Sequence, residues 1–193
     1  MTELKKPNNR IVDRDGQRLV WIWVGFNWMT FLWIPLSGAS PDATLIRWGL
    51  SEASGAYALI SYSFVHFRIE HLAINTVLCL FAVQFWLQHY SRFAMVTLLV
   101  FSTIAGGLAH SWFSSQSAFL LHGASAATAA LLGAGAFSQV WGGRWTRAVL
   151  PALVFLVVWM GSGSGSSWAA HNGGLLVGFC YGALRTLKPP VQV

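Results

Sequence analysis

Long apolar stretches alternate along the chain with short polar breaks. Six stretches, at 19–36, 66–87, 93–113, 119–137, 146–160 and 168–187, each read as a membrane-crossing helix. The breaks differ in kind. The longest, 37–65, carries Pro41, Asp42, Arg47, Trp48 and Glu52 and is long enough to fold back on the membrane as a structured lid. The Gly/Ser run at 161–167 reads as a flexible linker, with a mobile flap as its functional counterpart. Trp21, Trp23, Trp28 and Trp33 stud the first stretch, which argues against a cleaved signal peptide.

Composition sharpens the class. Of 193 residues, 9% are charged, against roughly 25% in an ordinary soluble domain, and the mean hydropathy is +0.54. That excludes a disordered chain, a nucleic-acid-binding domain and a disulfide scaffold, and leaves no room for a second soluble domain. The formal net charge of +6 matters less than where the bases lie. With the N-terminus inside, Lys5, Lys6, Arg10, Arg14 and Arg18 join Arg92, Arg144, Arg147, Arg185 and Lys188 to put ten bases on the cytoplasmic side, leaving Arg47 and Arg68 outside. Both termini are therefore expected in the cytoplasm: a basic tail at 1–18, a six-helix membrane domain at 19–188 and a short tail at 189–193. Trp86, Trp112, Trp141, Trp145 and Trp168 fall at segment ends, where an amphipathic ring prefers the interface. Cys79 and Cys180 read as two buried thiols, and His89, His110 and His122 as interfacial residues.

A polar side chain inside hydrocarbon is costly, so each is a functional candidate. The second segment carries His66, Glu70, His71 and Asn75; the fourth opens with His122, Gly123, Ala124 and Ser125; the sixth carries His171 and Asn172. All three segments enter from the outside, so their polar groups share one depth near the outer leaflet. His71 and Asn75, four apart, lie on one helix face, and Glu70 is turned toward the headgroups. Ser125, Ala129, Gly133 and Ala136 form one small-residue stripe, and His171, Gly174, Gly178 and Gly182 another. Packing of these stripes would bring Ser125 opposite His171. A serine hydroxyl needs an adjacent base to become a nucleophile, and neutral His171 is one. His71, Asn75 and the Ser125 N–H at a helix start are then available to an oxyanion.

These residues resemble the rhomboid family of intramembrane serine proteases. His66-Phe-Arg-Ile-Glu-His71-Leu-Ala-Ile-Asn75 matches the family's H-x4-H-x3-N, Gly123-Ala124-Ser125-Ala126 is similar to its G-x-S-G, and Ala170-His171-Asn172-Gly173-Gly174 followed by Gly178 matches A-H-x-x-G-x-x-x-G. The resemblance, over about 60–187, implies a six-helix all-α bundle in which Ser125 is the nucleophile and His171 its general base. It implies that His71 and Asn75 stabilise the oxyanion, with His66, Gly123 and Ala124 supporting the site. It also implies that transmembrane proteins are cut near their outer ends, with no cofactor and no metal, in a multi-pass protein of a bacterial inner membrane; the compact form also resembles rhombosortases. Gly133, Gly174 and Gly178 are expected to pack helices. Three features depart from the pattern: Ala126 replaces a glycine, Ala129 stands where many members place a tyrosine against the histidine, and Arg47-Trp48 reverses and displaces the usual Trp-Arg pair.

Two other readings compete. A non-catalytic rhomboid-like protein would bind membrane-protein clients, but such members normally lack the Ser/His pair present here. A metal or haem protein built on the histidines would need other spacing, since His66-x3-Glu70-His71 fits neither H-E-x-x-H nor H-x-x-E-H.

Overall fold

The computed structural model describes residues 14–51, 53–85, 87, 90–113, 120–141, 143, 149, 153 and 167–187. The expected fifth segment at 146–160 falls outside them except for Val149 and Leu153, as do both terminal tails except residues 14–18, most of the Gly/Ser run, and His89.

The described chain is helical: α1 (Arg14–Leu36), α2 (Pro41–Trp48), α3 (Ala58–Ser61) with a 3-10 turn (Tyr62–Phe64), α4 (Ile69–Phe85), α5 (Arg92–Phe113), α6 (Ser125–Trp141) and α7 (Ser167–Leu187). Its only strand-like pairing among the described residues is the bridge between Leu50 and Leu121. By length and apolarity α1, from Asp15, and α5 suffice to cross a membrane. The α3–turn segment and α4, bent by 99° against each other, suffice jointly as one broken span. The segment expected as one helix over 66–87 is thus a bend followed by a helix, and His66 lies in the bend. Likewise His122, Gly123 and Ala124 precede α6 instead of opening it.

α1 is the outer member. Val20, Val24 and Asn27 form its inward stripe, while Trp21, Ile22, Met29, Leu32 and Trp33 stay exposed, as a lipid-facing helix requires. It is tied to its neighbours by polar contacts: the Trp28 indole donates to Thr76 Oγ1 at 2.9 Å, and the Thr30 hydroxyl lies 2.8 Å from the Phe64 carbonyl. The loop after α1 holds a real helix. Ser40 caps α2, accepting the Ala43 N–H at 3.1 Å, Pro41 supplies a pre-set first turn, and Arg47 sits at the negative C-terminal end.

α6 is buried on nearly every side from Ala126 to Ala134, which makes it the central helix. α7 packs on it through small residues. A Cβ at Gly174 would overlap the Ala126 carbonyl, one at Gly178 the Ala130 carbonyl, and one at Gly182 would lie 3.3 Å from the Ala134 carbonyl. The offset is 48 residues in all three pairs, so α6 and α7 run parallel. The contact line on α6 is Ala126, Ala130 and Ala134, with Gly133 against Leu175 beside it. This is one residue round from the expected stripe of Ser125 and Ala129. α5 crosses the same pair: Gly173 presses on the Ala105 carbonyl and Gly106 faces Ala126 and Ala170.

One expectation about side chains is corrected. Cys79 is buried, but Cys180 is on α7 and exposed. His110 lies on the buried stripe of α5 with Thr103, Gly106 and Gly107.

The helix contact yields a direct test. Gly174→Ala is expected to lower stability by roughly 1–3 kcal/mol, the usual cost of overpacking. Gly25→Ala, whose Cβ would meet open space on α1, is expected to be neutral or to stabilise by up to about 1 kcal/mol through helix propensity. Unfolding of both purified variants in detergent checks this, and equal midpoints would refute the packing.

Candidate active site

The three residues before α6 are not helical, so their backbone groups need partners from elsewhere in a water-poor interior. Leu121 exchanges two backbone hydrogen bonds with Leu50, at 2.9 and 3.0 Å. The Gly123 N–H donates to the Tyr62 carbonyl at 2.8 Å. The Ala124 N–H donates to His66 Nε2 at 3.2 Å. Tyr62 is itself fixed, fully buried with its hydroxyl donating 2.8 Å to the Thr103 carbonyl on α5. The loop between α1 and α4 is therefore a scaffold for the turn that presents Ser125.

His66 accepts at Nε2, so the neutral ring carries its proton on Nδ1. The Asn75 amide nitrogen lies 3.4 Å from the same Nε2. A second ring completes this cluster: His71 is 5.3 Å from His66 between centroids and 6.0 Å from His122, which packs edge-on against Phe67 at 5.3 Å. His122 is thus half-buried beside His71. Gly123 has φ +100°, and a Cβ there would lie 2.6 Å from His71 Cε1. Only glycine lets the backbone lie flat under that imidazole.

On the other side, Ser125 begins α6 and is buried. His171 is buried on α7 within electrostatic range of His71. By the 48-residue offset, His171 is level with residue 123, two residues or about 3 Å of helix rise from Ser125. No hydrogen bond joins Ser125 to His171 among the described residues, and His171 Nδ1 is buried without a partner. Glu70 points away, exposed and 3.6 Å from Arg68, and Asn172 is exposed.

Ala126, the departure from the family's glycine, finds room because its neighbours are glycines. Its methyl carbon is 2.5 Å from where a Gly106 Cβ would stand, and its carbonyl lies against Gly174. Sequence reading missed Gly106 and Tyr62. Gly106 belongs to a GG pair inside an apolar helix, which is a signal for close approach; Tyr62 carried none.

Chemically, the cluster offers a hydroxyl, neutral imidazoles, a carboxamide and an unpaired helix-start N–H around one buried turn. Among the described residues no group of His, Cys, Asp and Glu is arranged to hold a metal ion. A family model described as Rhomboid domain matches residues 53–188 of the chain. No curated protein matches it.

The turn predicts a paired result. Gly143 also has positive φ but open space around it, so Gly143→Ala should cost about 1 kcal/mol for the backbone alone. Gly123→Ala should cost more, roughly 2–3 kcal/mol, because strain and the His71 overlap add. Unfolding midpoints of the two variants measured side by side check this, and equal losses would remove the His71 contact from the account.

Proposed function

The chain belongs to the rhomboid family, whose members are generally intramembrane serine proteases, and from that premise we propose that it hydrolyses a peptide bond in or beside a transmembrane segment of membrane-protein substrates. The observation that carries the proposal is the parallel contact of α6 and α7. It sets the start of α6 and the first turns of α7 at one level, with Ser125 and His171 both buried there.

In this reading His171 takes the proton of Ser125 Oγ as the oxygen attacks the scissile carbonyl carbon. The tetrahedral intermediate collapses, His171 returns the proton to the leaving amine, and water releases the acyl group by the same steps in reverse roles. The oxyanion draws on His71, Asn75 and the Ser125 N–H. The Ser125 N–H is free for this because a helix's first N–H groups lack intrahelical partners. The preceding N–H, of Ala124, is already taken by His66. His66 is accordingly a positioning residue that supports the turn with Gly123 and Ala124. Gly133, Gly174 and Gly178 serve by letting the helices close.

The proposal includes six crossings by a membrane domain at 19–188, a basic tail at 1–18 and a short tail at 189–193 in the cytoplasm of a bacterial inner membrane, and a site facing outward. The ten-to-two division of bases supports that orientation. The preserved Ser/His pair favours catalysis over client binding alone, and the chemistry needs no metal or cofactor.

A serine-directed fluorophosphonate should label the native protein and leave Ser125→Ala unlabelled, with His171→Ala labelled far more slowly. Equal labelling of native and Ser125→Ala protein would overturn the assignment. His71→Ala and Asn75→Ala should each lower turnover of a transmembrane substrate by roughly 10²–10³-fold, the usual loss for an oxyanion donor. Unchanged turnover in both would remove them from the site.

A further inference from the structure

A cavity of about 540 Å³ lies between the last turns of α1, the α2 helix and the 3-10 turn, and Ser125 is not among its lining residues. Its walls are apolar: Phe26, Trp33 and Ile34 from α1, and Phe64 and Val65 from the bend. Four hydroxyls also line it, yet each is spent on the protein's own backbone. Thr30 reaches the Phe64 carbonyl at 2.8 Å, Ser37 the Ile34 carbonyl at 2.8 Å, Thr44 the Ser40 carbonyl at 3.0 Å and Ser61 the Trp48 carbonyl at 2.8 Å. A ligand seated here finds mostly hydrocarbon walls and hydroxyls whose protons are already donated, which favours an apolar chain over a polar one.

One charge faces this greasy space. Arg47 lines the cavity at the end of α2, its guanidinium carbon 5.2 Å from the Trp48 ring centroid, and no carboxylate among the described residues is within ion-pair distance of it. The cavity is also continuous with the lipid-facing side of α1, since Trp33 lines it while remaining exposed. An apolar slot open to the bilayer, with an indole and a cation that no described carboxylate neutralises at its rim, matches an acyl chain joined to an anionic headgroup.

We infer that this cavity is a binding site for an anionic phospholipid, one acyl chain lying between α1 and the bend and the phosphate meeting Arg47. The lipid fills the space between α1 and the loop that scaffolds the Ser125 turn, so its seat is separate from the catalytic groups. Full-length protein reconstituted in nanodiscs of equal phosphatidylglycerol and phosphatidylcholine, then released for native mass spectrometry, tests this. The native chain should retain one phosphatidylglycerol. Arg47→Gln, an exposed change, should lower that occupancy about fivefold, the scale of one basic residue against an anionic lipid, and Ala43→Trp, which fills the slot, should abolish it. Equal retention by native and Arg47→Gln protein overturns the inference. So does equal retention of the two lipids, or displacement of phosphatidylglycerol by a transmembrane peptide whose own binding both substitutions weaken. None of these readouts depends on proteolysis, so the outcome is independent of the proposed activity.

Discussion

The approach of α6 to α7 at Ala126 and Gly174 is the contact on which the remainder of the molecule depends. Between helices in a bilayer there is no hydrophobic drive, because lipid tails are as apolar as leucine, and association relies on close packing. Here the backbone of one helix lies directly against the other, with no side chain between them at Gly174 or Gly178. Such contacts tolerate no slip. Moving α7 by one residue would set Val177 or Phe179 against the Ala130 carbonyl, so the register is fixed at 48 and the two helix starts are level. The methyl of Ala126 adds a third constraint, since it fits only beside Gly106 of α5. Three helices thereby share one glycine-lined junction immediately beneath Ser125.

The second constraint is polar. A turn of irregular backbone inside a membrane protein must have every N–H and C=O answered by the protein itself. The loop between α1 and α4 provides those answers: Leu50 pairs with Leu121, Tyr62 receives Gly123, and His66 receives Ala124. The loop's length, which in the sequence suggested a lid, is explained by this support. It must travel from the end of α1, form α2, reach the turn before α6 and come back to start α4 behind a 99° bend. Thr30 on α1 and Thr103 on α5 tie the same loop to the helices on either side of it.

Much of this was legible because membrane sequences make polar residues conspicuous. His71, Asn75, Ser125 and His171 were singled out against an apolar background, and the structure gathers His71 and Asn75 around His66 and the turn before Ser125. The parallel course of α6 and α7 followed from counting crossings. What the pattern did not contain was the interruption of helices. Apolar runs at 66–87 and 119–137 read as continuous because hydropathy is blind to a bend whose backbone groups are satisfied by distant residues. The facing stripe was displaced by one residue for a related reason: alanines and glycines are equally small, and only the third helix, through Gly106, decides which of them faces α7. Cys180 was misplaced because an exposed position in lipid is as apolar as a buried one.

The partnerless Nδ1 of His171 bears on how such a site would work. With Ala129 in place of a tyrosine, and no carboxylate beside it in sequence, the proposed base has no hydrogen-bonded orienter among the described residues. The position of its backbone comes from packing. Gly173 is held on the Ala105 carbonyl and Gly174 on the Ala126 carbonyl, so the turn of α7 that follows His171 is clamped on two sides by backbone. A clamp of that kind limits helix rotation but leaves the imidazole its own torsions, whereas a hydrogen-bonded acid would fix the ring directly. It follows that in the proposed dyad the glycine junction sets the level of the base on α7, and the rotamer of the imidazole is the remaining variable in its approach to Ser125.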